Sequence, residues 1–388
     1  MQNSQQVQPR RWPAIAAVAL LLTVSACGGS DTPTASGATP SNAAATGDGV
    51  AQADQKLKDL YAGVTFKSPP TDVVGHQTGK SIWVIDLSLA AAEGALVAQA
   101  AQEAGASLGW KVTVFDGQFT PSRYLDGVRQ AIAAKADGIF LYAIDCAGIK
   151  SALQQARTAG IKVAAAESSD CPSDKLFDGE VTYTQGAFET WAASAGAAEA
   201  DWIISKTRGK AQVINLFEND TNSTRAIQRG FIDEMKTCPG CTVIDTVTFT
   251  GADIGPALQQ KVAQAIVRNP QADVVMAPYD GVMTAGVAAA VRASGRADKL
   301  LVVAGGGTSA ALDLVREKKG ETAGYCTSLP WEGYAGVDIL NRLFQGKPVA
   351  SSGIGMQVFD VDNNLPPTGG WEPAIDFRAV YKQSWQSK

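Results

Sequence analysis

From Lys80 onward, short β-branched runs alternate with helical segments of 12 to 20 residues, and few folds satisfy that rhythm. "SIWVIDL" reads as a buried strand and Ala90 to Gly109 as a helix ended by glycine. "WKVTVFD" is the next strand, Ser122 to Lys135 a helix, "DGIFLYAI" a strand, Ala147 to Ala159 a helix and "IKVAAAE" a fourth strand. The rhythm resumes with "AQVINLFE", "TVIDTVTF", "DVVMAPY" and "LLVVAGG". Strands separated by helices of this length form right-handed βαβ units, which build parallel sheets flanked by helices. The expected fold class is α/β.

An internal repeat points to two such sheets. "VRQAIAAKADGIFLYAIDCAG" (128–148) resembles "VAQAIVRNPQADVVMAPYDGVMTAG" (262–286), and "ARTAG" (156–160) matches "VRASG" (291–295). Asp145 and Asp280 stand twelve residues before Arg157 and Arg292 of that second match, at equivalent strand ends. Any two βαβ units look alike in outline; the matched aspartates favour duplication. In open parallel sheets ligands bind beyond the carboxyl ends of the strands, so two facing sheets enclose a shared cleft.

The first residues read as a secretory leader. Arg10 and Arg11 form a charged start, and Ala14 to Val24 an apolar run shorter than the roughly 20 residues a membrane span needs. Val24-Ser25-Ala26-Cys27 resembles the bacterial lipobox, in which the cysteine becomes the first mature residue and carries a lipid. The other reading is cleavage near Ala26 with Cys27 left as an ordinary thiol. Residues 1–26 are then a signal peptide, 27–54 a flexible tether rich in Gly, Ser, Thr, Ala and Pro, and 55–79 an N-terminal extension. This places the protein outside the cytoplasm, anchored to the outer face of the cell membrane.

Roughly 335 residues remain, enough for a large core or two lobes. Removing Arg10 and Arg11 from the 33 basic residues leaves 31 against 38 acidic ones. With no basic stretch, nucleic acid is not an expected partner. His76 is the only histidine, so neither Cys/His metal sites nor Ser-His-Asp triads are available, and no cofactor or metal is expected. Beyond Cys27 there are five cysteines, an odd set for an oxidising exterior. Cys238-Pro-Gly-Cys241 follows a helical segment (223–237) and precedes a strand, the reverse of the redox CxxC arrangement, which favours a structural clasp. Cys146 with Cys171 is the favoured second bridge, which would leave Cys326 as a buried free thiol, although five cysteines also allow other pairings.

At this point the chain resembles the lipoprotein solute-binding proteins of ABC importers, in the sugar-binding group with the ribose- and galactose-binding proteins. The resemblance covers about 80 to 360 and rests on "GASLGWKVTVFDGQFTPSR", "QAIAAKADGIFLYAIDCAGI", "ARTAGIKVAAAES", "TRAIQRGF", "VVMAPYDGVMTAGVAAAVRASG" and "GKPV" in that order. It implies the type I periplasmic-binding-protein fold: two Rossmann-like lobes, about 80–185 plus 329–356 and 186–328 plus 357–388, joined by a three-strand hinge. It also implies closure of the lobes on a ligand, a monomeric state, and membrane permease subunits as partners.

A polyhydroxylated ligand needs carboxylates and amides to accept from its hydroxyls, a guanidinium fork and an aromatic face. The resemblance places such roles at Asp86, Glu167, Arg225, Tyr279, Asp280, Ser328 and Trp331. Asp145 joins them through the repeat. Each of several has an ordinary alternative. Asp145 and Asp280 also suit N-caps, Arg225 an ion pair with Glu218 or Asp220, Glu167 a solvated loop and Trp331 core packing. "AGGGTS" (304–309) lacks the P-loop lysine and reads as a glycine turn into a helix capped by Thr308 or Ser309.

Two departures stand out. "LSLAAAEG" replaces the aromatic run that sugar binders carry after the first strand, and Gly305-Gly306 replace a late-strand carboxylate. Glu93 either substitutes for part of the first contact or is a first-turn acid favoured by the helix dipole. The expected function is a non-catalytic binder of a sugar or polyol. The alternatives are a surface sensor serving a receptor kinase or chemoreceptor, a binder of a non-sugar metabolite, and a thiol-disulfide exchanger using the CPGC motif.

Overall fold

The computed structural model describes residues 42–386; the expected leader, lipobox cysteine Cys27 and the start of the tether lie outside them. Two sheets organise the rest. The first is built by β1 (Ser81–Asp86), α2 (Ala92–Ser107), β2 (Lys111–Asp116), α3 (Pro121–Ala133), β3 (Gly138–Tyr142), α4 (Cys146–Thr158), β4 (Lys162–Ala166) and the short β5 (Gly179–Glu180). Its strands are all parallel, in the order β2-β1-β3-β4-β5.

The second begins with α5 (Phe188–Lys206), β6 (Gln212–Glu218), α6 (Asn222–Met235), β7 (Thr242–Phe249), α7 (Pro256–Arg268) and β8 (Val274–Met276). A single turn, α8 (Asp280–Val282), runs through a π-helical turn into α9 (Ala288–Ala293), followed by β9 (Leu301–Val303), α10 (Ser309–Arg316) and β10 (Ala323–Cys326). Its order is β11-β10-β9-β8-β6-β7, with only β11 (Gln357–Asp360) antiparallel. Leaving out β11, the sequence β7-β6-β8-β9-β10 repeats β2-β1-β3-β4-β5 position for position. β3 and β8, the strands of the sequence repeat, occupy the same central place.

The chain crosses between the sheets after β5, after β10 and before β11. α11 (Leu329–Phe344) returns to the first sheet, packing on α2, β3 and β4. The crossings lie side by side. Tyr183 bridges to Ile354, and the Thr327 hydroxyl donates to the Gly355 carbonyl at 3.3 Å.

Helices approach closely where side chains are small. α2 and α11 meet over Val97, Ala100, Ala101 and Gly333. α5 and α6 come closer still: a Cβ on Gly230 would stand 1.8 Å from the Ala193 carbonyl oxygen, and one on Gly196 2.0 Å from that of Ile227. Neither backbone can yield without moving a helix. Gly230→Ala is expected to cost stability at or above the top of the ~1–3 kcal/mol typical of overpacking; thermal unfolding of the variant checks this, and an unchanged melting temperature would refute the close approach.

Two boundaries differ from the sequence reading. Residues 42–54, assigned to a flexible tether, belong to α1 (Asn42–Ala62), which lies on α5. Ala53 and Leu57 are buried there, and Lys56 binds Glu234 at 2.6 Å and Asp201 at 3.4 Å. The spacing of those two apolar residues is a helical one, hidden in a stretch whose composition reads as linker. The chain then straps the crossings (Thr65 Oγ1 to the Met356 carbonyl, 2.9 Å) and reaches the first sheet's α11 through Asp72–Arg342 (2.7 Å). At the other end, α12 (Phe377–Ser384) packs on α11 rather than on the second lobe to which 357–388 was assigned. Phe377 stacks on Trp331, and the indole of Trp385 donates to Asp338 at 2.7 Å. Among the described residues no helix is long and apolar enough to cross a membrane.

Candidate ligand-binding site

The carboxyl ends of both sheets face one chamber. β1 ends at Asp86 and β6, its counterpart, at Glu218; both carboxylates line the wall. Asp86 is fully buried, its Oδ1 accepting from the Ser88 amide at 2.9 Å while Oδ2 has no partner. Glu218 is 2% exposed, and its Oε2 is likewise unpartnered. Glu93 reaches across from the start of α2. Its Oε1 accepts from the Gly281 amide of the second lobe at 2.8 Å, while Oε2 remains free. Glu167 follows β4 in a left-handed conformation, φ +49°, and completes a set of four lining carboxylates. Such backbone conformations concentrate where a side chain must be aimed at a ligand.

Aromatic faces supply the remaining wall: Trp191 from α5, Tyr142 at the end of β3, Tyr279 after β8, Tyr325 in β10, and Phe119. Trp191 stacks on Tyr183 with 4.6 Å between centroids and meets Tyr325 edge-on at 5.9 Å. Ser223, Thr224 and Thr327 contribute hydroxyls. The chamber is small, about 80 Å³. That suits a ligand the size of one small ring or a short chain.

Burial dominates the electrostatics. It pushes Asp86 and Glu93 each up to about 7, and Asp116 beside Asp86, and Asp280 and Asp86 beside Glu93, add to the rise. Glu167 is raised to about 8 by burial and then by Glu93, and Glu218 to about 8 by burial and then by Asp220. A desolvated carboxylate among other acids holds its proton more tightly.

Of the sequence-predicted residues, the structure brings together Asp86, Glu93, Glu167 and Tyr279 on the chamber wall. The other five do not line it. Arg225 is exposed on α6, which turns Ser223, Thr224 and Ile227 inward instead, and it donates to Asn222 Oδ1 (2.9 Å) and the Asn219 carbonyl (2.6 Å) rather than to Glu218 or Asp220. Arg225→Ala is therefore expected to leave ligand affinity within about twofold, as surface changes of ±0.5 kcal/mol do; titration of the variant with any ligand of the parent protein checks it, and loss of binding would return Arg225 to the site.

Asp145 and Asp280 do one job twice. Asp145 Oδ1 accepts from the Ser169 amide (2.9 Å) beyond β4, and Asp280 Oδ2 from the Thr308 amide (2.7 Å) beyond the equivalent β9. Neither side chain caps its own helix: each ties its strand end to the loop after the next strand. Asp145 Oδ2 also accepts from the Asn222 amide at 3.1 Å, a second bond joining the lobes. Ser328 is buried before α11, where its neighbour Thr327 lines the chamber in its place. Trp331 is fully buried, stacked 5.0 Å from Phe377 and 6.1 Å from Phe66.

Gly305, read as the loss of a carboxylate, makes room for an aromatic ring. A Cβ there would lie 1.9 Å from the Tyr325 ring. Gly306 takes φ +141°, and a Cβ would crowd Asp280 Oδ2 at 2.9 Å. "AGGGTS" is thus the glycine turn expected, with α10 starting at Ser309 after Thr308; neither hydroxyl caps it, and the Thr308 amide goes to Asp280.

Trp191, Glu218, Tyr142 and Tyr325 escaped the sequence reading. Tyr142 and Glu218 end parallel strands, the place where an open sheet binds its ligand. Nothing local marks Trp191, which reaches the chamber from a helix. Disulfides join Cys146 to Cys171 and Cys238 to Cys241, and Cys326 is free and buried. Cys238 is itself buried at the α6-to-β7 turn, a clasp's position rather than an exchanger's.

Residues 87–348 match the family described as "Periplasmic binding protein domain". A search of curated protein sequences finds none that matches this chain. Solved structures share its fold at low identity. A sugar ABC transporter protein from Yersinia enterocolitica is 18% identical, covering 82% of this chain and 98% of that one, with a TM-score of 0.66. The binding protein of an arabinose ABC transporter from Shewanella, bound to arabinofuranose, is 17% identical (72% and 92% covered, TM-score 0.62). A solute-binding protein from Bacillus halodurans with bound myo-inositol is 17% identical (74% and 97% covered, TM-score 0.63). With the family pattern spanning most of the chain and the paired sheets repeating its architecture, the chain belongs to the periplasmic binding protein domain family and has its type I fold.

Proposed function

We propose that this protein is an extracytoplasmic solute-binding lipoprotein of an ABC importer. It takes a small hydroxylated ligand, in the sugar or polyol class, between its sheets and delivers it to a membrane permease without chemical change. One observation carries the reading: a small chamber of inward-facing acceptors and aromatic faces lies between the lobes, which are bonded across it by Glu93–Gly281 and Asp145–Asn222. A ligand that adds contacts to both walls favours the joined arrangement through differential binding, as hinge closure requires. The sugars and inositol held by structural neighbours support the class.

The test is thermal unfolding of the purified chain against monosaccharides, disaccharides, polyols, amino acids and small aromatics. A ligand at 100 times its Kd stabilises the folded state by about 2.7 kcal/mol, so a micromolar binder is visible at sub-millimolar concentration. A shift in melting temperature confined to amino acids or aromatics would overturn the sugar-or-polyol class. The anchor has its own test: Cys27→Ser is expected to release the protein from the membrane fraction, and retention there would refute the lipobox.

A further inference from the structure

Four carboxylates line the chamber, and among the described residues no lysine, arginine or histidine does. Three of their oxygens, Asp86 Oδ2, Glu93 Oε2 and Glu218 Oε2, accept no hydrogen bond, and their residues are 0%, 8% and 2% exposed. The cation that sequence placed in the site, Arg225, does not line the chamber; it borders an adjoining cavity that shares Phe119, Glu218 and Thr221 with it, and donates to Asn222 and Asn219. A neutral polyol would donate to these oxygens with the carboxyls still protonated, whereas a cation would pair with their ionised forms. We infer that the ligand carries a positively charged nitrogen, a protonated amine or quaternary ammonium on a small hydroxylated skeleton, seated among Asp86, Glu93 and Glu167. This rests on the solute-binding reading above and narrows its ligand class.

Two further observations agree. Aromatic rings, whose faces are negative and bind ammonium groups in aromatic cages, line the chamber. Trp191, Tyr142 and Tyr325 surround the same space as the carboxylates. The acids also stand too far apart for a metal ion. Among the described residues the only three or more ligating groups with atoms within 4.8 Å of one another are Cys146, Asp170 and Cys171, two of them in a disulfide. An organic cation spreads its N–H and N–CH donors over a wider shell than a metal ion does. The tight hold of these carboxyls on their protons adds a consequence: seating a cation drives those protons off, so binding at neutral pH releases them to buffer.

Calorimetric and thermal titrations of the full chain in detergent, at pH 7, would use matched pairs differing only by an ammonium for a hydroxyl: glucamine against sorbitol, glucosamine against glucose, and ethanolamine against ethylene glycol, with choline and calcium chloride added. The amine of at least one pair is expected to bind at least tenfold more tightly than its neutral partner, with a heat that varies with buffer ionisation. Glu93→Gln and Glu167→Gln should each weaken that amine at least tenfold while the unliganded melting temperature holds or rises. Asp86→Asn, the third carboxylate of the seat, serves if either fails to fold. Neutral members binding as well as or better than their amines would overturn the charged ligand and leave the solute-binding reading intact. Calcium alone binding would overturn it in favour of a metal, and silence from every member would overturn both readings.

Discussion

Raised from pH 5 to pH 8, the ligand-free protein is expected to lose several kilocalories per mole of folding stability, the opposite of the usual acid-side loss. The cause is the buried acids of the chamber. An unfolded glutamate loses its proton near 4.5, whereas folded Glu93 holds its own to about 7 and Glu167 and Glu218 to about 8. Below 4.5 these groups are protonated in both states and the contribution is fully present. Between 4.5 and 8 the folded chain binds more protons than the unfolded one, so rising pH favours unfolding. Above about 8 both states are ionised and the loss is complete. Each tenfold difference in proton affinity between the two states is worth about 1.4 kcal/mol, so Glu93 alone accounts for on the order of 3 kcal/mol.

The groups act as a cluster: Glu93 faces Asp280 and Asp86, Glu167 faces Glu93, Asp86 and Tyr142, and Glu218 faces Tyr279 and Asp220. Their protons therefore leave in shared steps. Acids held low instead, such as Asp360 beside Lys206 and Asp72 beside Arg342, act below pH 4, outside this window. Denaturant unfolding at each pH measures the slope. A stability that is flat or rises between pH 5 and 8 would mean that these carboxyls are solvated or paired.

The second large effect separates two tryptophans. Trp331→Ala should destabilise the fold by about 3–5 kcal/mol, the cost of emptying a fully packed aromatic site. Its ring is held between Phe377 and Phe66. Trp331→Phe keeps most of that packing and is expected to bind ligand normally. Trp191→Phe should do the reverse. Its stack on Tyr183 survives a smaller ring, but the chamber loses an indole face, and affinity should fall by tenfold or more, as for a buried aromatic anchor. Melting temperature and ligand titration of the two phenylalanine variants decide the matter. If Trp331→Phe weakened binding and Trp191→Phe did not, the aromatic wall would have to be reassigned.

The βαβ rhythm, the duplication and the chemistry of strand ends were legible in the sequence because each follows from local periodicity or from spacing along one chain. Asp86, Glu167 and Tyr279 were placed by the family resemblance, at strand ends where an open parallel sheet binds its ligand. Glu93 was found as the acid in the first turn of a helix beside one such end. The Cys238–Cys241 clasp followed from the order of helix and turn; which of the other three cysteines pair the structure decides, joining Cys146 to Cys171 and leaving Cys326 free and buried.

What the sequence could not settle was direction. A one-residue step around α6 is about 100°, enough to place Thr224 in the chamber and Arg225 in solvent. Whether Asp145 and Asp280 hold a ligand, cap a helix or brace a loop depends on which amide lies within 3 Å, and those amides are 24 and 28 residues away. Trp191 and Trp331 are alike in sequence. Packing of α5 on α6 and β10 carries the first to the chamber, and docking of α12 on α11 seals the second into the core. By itself the sequence determined the alternation of strands and helices from Lys80 onward, though not α1, since backbone periodicity and strand polarity are properties of short segments. Only the tertiary structure decided that the chamber is acidic and without a cation of its own, because the sign of a site depends on which side chains close packing turns inward.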